Sequence, residues 1–241
     1  MPKDKIFAGK DASPGSFEFN DAVADVFPDM LRRSIPGYDA TIDAIGALAS
    51  RYIQPGTKCY DLGCSLGAAT LAIQRNICVP DCEILAVDNA PAMIERCQKI
   101  LSQASAKVTT QVVEADVRQV AIENASMVVM NYTLQFVPPG DRLAMIKRIY
   151  AGMTPGGVFV LSEKVADDDA DVEGLLVDLH HDFKRRNAYS DLEISRKRTA
   201  IENVLIPETT CKHLRRLKEA GFEHMSVWLK HFNFISIIAI K

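Results

Sequence analysis

Short apolar runs alternate with amphipathic segments through the middle of the chain, and this alternation limits the possible fold more than any other feature. The apolar runs predict strands at Lys58–Leu62, Glu83–Val87, Val108–Val113, Ser126–Met130 and Val158–Leu161. Helical spacing between them predicts helices at Gly67–Arg75, Pro91–Leu101 and Arg142–Met153. Such alternation indicates an α/β fold with a mostly parallel sheet and helices on both faces. Right-handed crossovers then bring the carboxyl ends of the strands to one edge, where ligands bind.

The segment before this alternation predicts a cover over that edge. Residues 1–20 are expected to form a loose tail, followed by helices at Asp21–Ile35 and Ala40–Tyr52. We expect residues 1–55 to lie over the site.

The segment after the fifth strand interrupts the pattern. Residues 166–206 predict a helical insertion, with a helix at Val172–Arg186, that serves as a lid or a dimer element. A helix at Glu208–Ala220 and an antiparallel hairpin of Met225–Lys230 and Phe234–Ile240 are expected to close the sheet. Residues 1–241 therefore predict a single Rossmann-like α/β domain.

Composition argues against several classes of protein. The 28 Lys and Arg against 31 Asp and Glu give a net charge of −3, which disfavours direct binding to nucleic-acid phosphates. The sequence has no apolar stretch of about 20 residues and no secretory pattern at its start, so we expect a cytoplasmic protein without a membrane span. Cys78 and Cys82 have no matching Cys or His pair, and we expect no metal.

The strongest motif is the turn DLGCSLG, which follows the first strand and leads into a helix. Gly63 allows close approach of the backbone to a ligand, and Asp61 can receive an amino group. Ser65 stands where a third glycine often occurs, so the glycine pattern alone is weak evidence. Asp88, at the end of the second strand, can accept hydrogen bonds from two ribose hydroxyls, and this strengthens the interpretation of the turn as a cofactor-binding motif. A plain strand–turn–helix with a solvated Asp88 is the alternative.

The chemistry of the turn separates two cofactor classes. A dinucleotide requires a GxGxxG turn that holds a pyrophosphate at the helix N-terminus. The early acid and fewer glycines of this turn suit S-adenosyl-L-methionine, which has an amino-acid tail and no phosphate. The expected hairpin also matches the sheet of the class I methyltransferase fold better than the dinucleotide-binding sheet, so we expect a Rossmann-like domain of the class I methyltransferase type.

Two further strand ends offer polar groups. Asp116 follows the third strand and is expected to hold the adenine amino group, with Val117 beside it; a turn or cap role for Asp116 is the alternative. Asn131 ends the fourth strand and faces the transferable group. The sequence around it lacks the Asn/Asp-Pro-Pro-Tyr/Phe loop expected for methylation of exocyclic amines, which disfavours a nucleobase or amide substrate.

Longer segments resemble the carboxy-S-adenosyl-L-methionine synthase family from about Phe17 to the C-terminus. The resemblance rests on FNDAVADVFPDMLRRSIPGY, DLGCSLGAAT, DNAPAMIERC, IENASMVVMNYTLQF, LSEK, HHDFKRRNAYSDLEISRKR, ENV, AGFEH and FNF. Ser65 and the HHDFKRRNAYS…KR segment are its specific parts, whereas the rest is generic to the fold.

The resemblance implies an enzyme that converts S-adenosyl-L-methionine and prephenate to carboxy-S-adenosyl-L-methionine and phenylpyruvate. The product is used by a partner enzyme that carboxymethylates the wobble uridine (cmo5U34) of tRNA. It also implies a homodimer, a grip on the new carboxylate by Arg198, and cofactor contacts from Tyr38, Gly63, Cys64, Ser65, Asp88, Asn89, Asp116, Val117 and Asn131.

Chemistry gives an independent reason for the arginine. The sulfonium charge acidifies the adjacent methyl group, so an ylide can form and capture the carbon dioxide that prephenate releases. Such a site has to exclude water and supply a cation for the new carboxylate, which an arginine fork does well. We therefore expect the insertion to bring Arg198 into the site. A solvated helix end is the alternative for Arg196-Lys197-Arg198.

Other readings stay open at this point. An ordinary methyltransferase of a small molecule, or a non-catalytic module that binds the cofactor, would show the same turn. His180 and His181 point in different directions on a helix and are not assigned to the site, although one could line the prephenate pocket. Glu163 could reach the same edge or be structural. The apolar stripe within Val172–Phe183 fits a dimer interface or packing within one subunit.

Overall fold

A mixed eight-stranded sheet forms the centre of the molecule in the computed structural model, which describes residues 2–9, 17–104 and 108–241. Seven strands run in the order β3-β2-β1-β4-β5-β8-β7, and β6 pairs with β5 off this path. The strands are β1 Lys58–Leu62, β2 Glu83–Asp88, β3 Thr109–Glu114, β4 Ala125–Asn131, β5 Met153–Ala166, β6 Glu208–Thr209, β7 His224–His231 and β8 Phe234–Ile240.

Strand directions follow the predicted class. Strands β1 to β5 pair in parallel, whereas β8 runs antiparallel to both β5 and β7. The predicted α/β fold with a closing hairpin is therefore confirmed. The helices are α1 Asp21–Ser34, α2 Tyr38–Tyr52, α3 Ala68–Asn76, α4 Pro91–Ser102, α5 Pro139–Gly152, α6 Ala170–Arg186, α7 Asp191–Ile201 and α8 Thr210–Ala220.

Strand β4 shows why the sheet is covered on both faces. Six of its seven residues are buried, as expected for a central parallel strand. Met127 and Val129 pack into one core with α2 and α3, while Val128 and Met130 pack into the other with α5 and α8. Because successive side chains of a strand point to opposite faces of the sheet, β4 contributes to both hydrophobic cores.

Local signals fix most helix ends, and several ends differ from the sequence prediction by one to three residues, among them the starts of α5 at Pro139 and of α6 at Ala170. The helix predicted from Ala40 begins at Tyr38, directly after Gly37 in the left-handed region with φ 75°. The helix predicted from Glu208 begins at Thr210 because the Thr209 side chain accepts the Lys212 amide and caps it. Glu208 and Thr209 form the short strand β6 beside Val165 and Ala166.

The prediction of a loose tail is wrong for residues 2–9. Asp4 is buried: its amide donates to Asp29 at 2.7 Å, and its carbonyl accepts from Arg33 at 3.0 Å. The Asp4 carboxylate also accepts the Tyr189 hydroxyl. These hydrogen bonds hold the N-terminal segment in place, because the buried polar groups of Asp4 have protein partners instead of water. The remaining tail positions 10–16 lie outside the described residues.

Helices α6 and α7 fill the interval between β5 and β6. The Ser190 capping box starts α7, and Arg33 on α1 donates to the carbonyls of Asn187 and Ala188 in the α6–α7 connection, both at 2.7 Å. Arg142 fixes the far end of the interval by donating to the Ile206 carbonyl and to Glu208. Within the described residues, no helix is long and apolar enough to cross a membrane.

Candidate active site

A cavity of about 420 Å³ opens where the parallel strands end. Its walls come from the strand ends, from α1, α2, α6 and α7, and from the segment around Phe17. The structure brings every residue of the sequence-predicted site to this one cavity: Tyr38, Asp61, Gly63, Cys64, Ser65, Asp88, Asn89, Asp116, Val117, Asn131 and Arg198.

The turn after β1 has a backbone that few residues adopt. Gly63 has φ 84°, and a Cβ atom there would overlap the Thr133 side chain. Ser65 also lies in the left-handed region, with φ 50°, so it takes the conformation that a glycine often supplies. The Ser65 amide donates to the Asp88 carboxylate at 2.9 Å, and the Ala90 amide donates at 3.0 Å. These bonds fix Asp88 beside the turn.

Asp61 is a buried carboxylate at the floor of the cavity. It is 1% exposed and accepts the Thr70 hydroxyl at 2.6 Å. Burial raises the pKa of Asp61 to about 6, the Thr70 hydrogen bonds oppose this, and the Asp88 charge adds to it. A ligand ammonium group would stabilise the ionised form, so this floor suits a cationic amino group.

The end of β4 carries an unsatisfied polar atom. The Asn131 side-chain oxygen is buried and has no hydrogen-bond partner among the described residues. Tyr132 follows with φ 63°, and its ring lies 6.5 Å from that of Tyr38 and 6.0 Å from that of Phe234. Buried polar atoms are rarely left unpaired, so a donor from a ligand fits here. The residues at this edge therefore suit an adenosyl amino acid.

Asp116 has partners that the sequence did not predict. Its carboxylate accepts the Arg118 guanidinium at 2.6 Å and the Arg118 amide at 2.8 Å, and the Arg118 hydrogen bond lowers its pKa. The turn role considered as an alternative is thus present, in a residue that also lines the cavity.

Aromatic side chains form an apolar wall. Phe19 packs edge-on against Phe17, Phe27 and Phe136, with centroids 5.2 to 6.0 Å apart. These rings come from the N-terminal segment, α1 and the turn after β4, and all four line the cavity. Their contact removes water from this part of the site.

Besides Arg118, four basic side chains from β5, α6 and α7 line the cavity together, and the sequence singled out only one of these four. Lys164 lies near the end of β5, Lys184 on α6, and Lys197 and Arg198 on α7. Arg198 is exposed, whereas Lys197 is buried and donates to Ser34 at 3.0 Å. A solvated helix end therefore fails to describe Lys197. The signals for the missed lysines were their places directly after a buried strand and in the HHDFK segment.

The histidines and Glu163 occupy different positions. His180 and His181 line the cavity; the His180 ring nitrogen Nε2 donates to the Ser34 carbonyl at 2.8 Å, and burial lowers the pKa of His180 to about 2. Glu163 is buried, and burial raises its pKa against the nearby Arg142 charge. Among the described residues, no group of three or more His, Cys, Asp and Glu side chains could hold a metal ion.

Solved structures share this fold. A cyclopropane synthase of Mycobacterium tuberculosis, MmaA2, superposes on 78% of this chain and 62% of its own with a TM-score of 0.59 at 17% identity. A magnesium protoporphyrin IX methyltransferase of Synechocystis, solved with bound S-adenosylmethionine, superposes on 85% of this chain and 80% of its own, with a TM-score of 0.57 at 15% identity. The fold and the site define the class I S-adenosylmethionine-dependent methyltransferase type.

Sequence relatives narrow the class. Residues 60–157 match the family described as Methyltransferase domain. Proteins named carboxy-S-adenosyl-L-methionine synthase from Klebsiella pneumoniae and Escherichia fergusonii are each 52% identical over 99% of this chain and 97% of their own length. The chain belongs to the carboxy-S-adenosyl-L-methionine synthase family.

Proposed function

We propose that this chain makes carboxy-S-adenosyl-L-methionine from S-adenosyl-L-methionine, with prephenate as the source of the carboxyl group. One observation carries the proposal: a single cavity joins carboxylates at the strand ends to four basic side chains from β5, α6 and α7. The first group suits an adenosyl amino acid. The second suits an anionic co-substrate, which an ordinary methyl transfer does not need.

The reaction balances without an oxidant or reductant. When prephenate becomes aromatic, the electrons of the broken C–C bond enter the ring, and carbon dioxide and hydroxide leave. The sulfonium methyl gives up a proton, which with the hydroxide makes water. Its carbon then forms a bond to carbon dioxide, and phenylpyruvate remains as the second product. S-adenosyl-L-methionine is thus a substrate and leaves changed.

The residues of the chain orient the substrates, shield the reacting atoms from water and stabilise the forming carboxylate. Asp61, Asp88 and Asn131 hold the adenosyl compound at the strand ends, while the phenylalanine wall excludes water that would dilute or hydrate carbon dioxide. The Arg198 guanidinium receives the carboxylate as it forms on the methyl carbon. We propose that α6 and α7, in residues 166–206, act as the lid that carries Arg198, and that residues 1–55 complete the cover.

Two measurements test the proposal. Mass spectrometry of the supernatant of denatured protein should show S-adenosyl-L-methionine with one hydrogen replaced by a carboxyl group. Incubation with S-adenosyl-L-methionine and prephenate should then release phenylpyruvate. Retention of plain cofactor or its demethylated product, without phenylpyruvate, would favour an ordinary methyltransferase or a non-catalytic module.

An exposed apolar patch supports a homodimer. Val172 and Leu175, three positions apart and so on one face of α6, are 42% and 58% exposed. Exposed patches of this kind mark association surfaces, and a second copy of the chain is the partner we propose. Leu175→Glu should then convert the species seen by light scattering from dimer to monomer. A downstream tRNA-modifying enzyme would use the product.

A further inference from the structure

Lys164 and Lys184 are two basic groups of the cavity to which the proposed reaction assigns no role. Both side chains are partly buried, and the charge of Lys164 acts on Lys184. Neither makes an ion pair within 4.0 Å in the described part of the chain. Glu173 acts on Lys164 from a greater distance and itself accepts the Asp167 amide.

The setting of Lys184 disfavours its charge. Burial is the largest cause that lowers the pKa of Lys184 to about 7, and the charges of Lys197, Lys164 and Arg198 lower it further. An ammonium group held out of water beside other cations costs free energy unless an anion compensates it. The Lys197 ammonium group has partners within the folded chain, the Ser34 hydroxyl at 3.0 Å and the Asp4 carboxylate at 3.8 Å. The lysine pair is left for a ligand.

The reaction decides which anion that ligand presents. A cation bound to the departing carboxylate would stabilise the ground state more than the transition state, since the charge leaves that group. A cation bound to a carboxylate that survives the reaction positions the molecule without this penalty. Arg198, which is exposed rather than buried, serves the carboxylate newly formed on the methyl carbon.

We propose that Lys164 and Lys184 form the subsite for the carboxylate that the co-substrate keeps, the one on its 2-oxo acid arm. This inference rests on the proposed function and names the part of the co-substrate that the protein recognises. The departing carboxylate then lies away from these two ammonium groups.

Calorimetry on protein saturated with S-adenosylhomocysteine tests the subsite without turnover. Phenylpyruvate is the probe because it keeps only the 2-oxo acid carboxylate. Lys184→Met, which removes the charge at nearly constant length, should weaken phenylpyruvate binding about 10- to 100-fold. Steady-state assays should show the KM for prephenate raised by a similar factor. The KM for S-adenosyl-L-methionine and the affinity for S-adenosylhomocysteine should stay within about twofold.

Controls separate charge from structure. Lys212→Gln, on the exposed side of α8, should leave all these constants unchanged, and Lys184→Arg should recover part of the lost affinity. A rise in the KM for S-adenosyl-L-methionine alone would overturn the proposal, because Lys184 would then hold the cofactor's carboxylate. Unchanged phenylpyruvate binding in Lys184→Met would overturn it as well. Failure of the proposed function appears separately, as absence of carboxylated product from the unaltered protein.

Discussion

The cavity joins two groups of residues that the chain assembles in different ways. Asp61, Gly63 and Ser65 lie within five positions of one another, and one strand–turn–helix holds them. The basic group instead depends on contacts between distant segments, such as Lys197 with Ser34 and Tyr189 with Asp4. The adenosyl side is therefore specified by local sequence, whereas the co-substrate side exists only when the whole chain has folded.

The largest expected effect comes from the basic group. Arg198→Ala should lower turnover to carboxylated product about 100- to 1,000-fold, because the cation that stabilises the forming carboxylate is lost. Binding of S-adenosylhomocysteine, measured by calorimetry, should change much less. Arg215→Ala on the exposed side of α8 is the matched control. Unchanged turnover in Arg198→Ala would remove that residue from the reaction.

On the adenosyl side of the cavity, Asp61→Asn should weaken cofactor binding. The ammonium group loses its carboxylate, and the affinity for S-adenosylhomocysteine should fall at least about 10-fold. The ligand-free protein should not lose stability. Burial raises the Asp61 pKa from 3.8 to about 6, so ionisation of Asp61 at neutral pH costs the fold roughly 3 kcal/mol.

The direction in which Asp61 changes stability with pH follows from how many protons the folded and unfolded states bind. Between pH 3.8 and about 6 the folded state holds more protons on Asp61 than the unfolded state, so its contribution to stability is lost as the pH rises through that window. Denaturant melts at neutral pH check this, with Asp43→Asn on the exposed face of α2 as the control. A clear loss of stability in Asp61→Asn would show that the carboxylate is mainly structural.

A smaller effect should distinguish the two groups by pH. Since the pKa of Lys184 is about 7, phenylpyruvate affinity should fall up to about tenfold from about pH 6 to about pH 8. The protonated Lys184 side chain binds the anion, and it deprotonates over this range. The other ionisable groups that act on Lys184 or lie beside it on α6 are Lys197, Lys164, Arg198, His180 and His181. A profile in Lys184→Met as steep as in the unaltered protein would assign the effect elsewhere.

The smallest expected effect lies outside the cavity. Asp4→Asn keeps a polar group for Tyr189 but removes the charge 3.8 Å from the Lys197 ammonium. We expect the melting temperature to fall by about 2–4 °C, because one buried ion pair is weakened. Asp178→Asn on α6 is exposed and should melt like the unaltered protein. No difference between the two variants would mean that Asp4 adds only hydrogen bonds.

The sequence was sufficient to predict those features whose pattern lies within one strand, turn or hairpin. Strand β1 has the predicted bounds, and the turn after it could be recognised from Gly63, Gly67 and Asp61. The closing hairpin followed from two apolar runs with a tight link. These features depend on period, turn chemistry and neighbours within about ten residues.

The rest depends on tertiary contacts that no short window contains. Lys184 is one of many lysines by sequence, and only the packing of α6 against α1 and α7 turns it toward the cavity. Asp4 stands in a polar tail, yet Arg33 and Tyr189 bury it. Arg118 pairs with Asp116 through a turn whose geometry the sequence does not state. Burial and partner choice are properties of the assembled chain.

Arg142 anchors one end of the cover that α6 and α7 form over the cavity. Its fully buried guanidinium bonds the carbonyls of Val137, Gln135 and Ile206, so the returning end of the two-helix cover is pinned to the scaffold. The α6–α7 connection is fastened as well, because Arg33 donates to the carbonyls of Asn187 and Ala188 and Asp4 accepts the Tyr189 hydroxyl. The cover over the cavity is therefore held at both of its ends, and residues 2–9, through Asp4, contribute to one of the two fastenings.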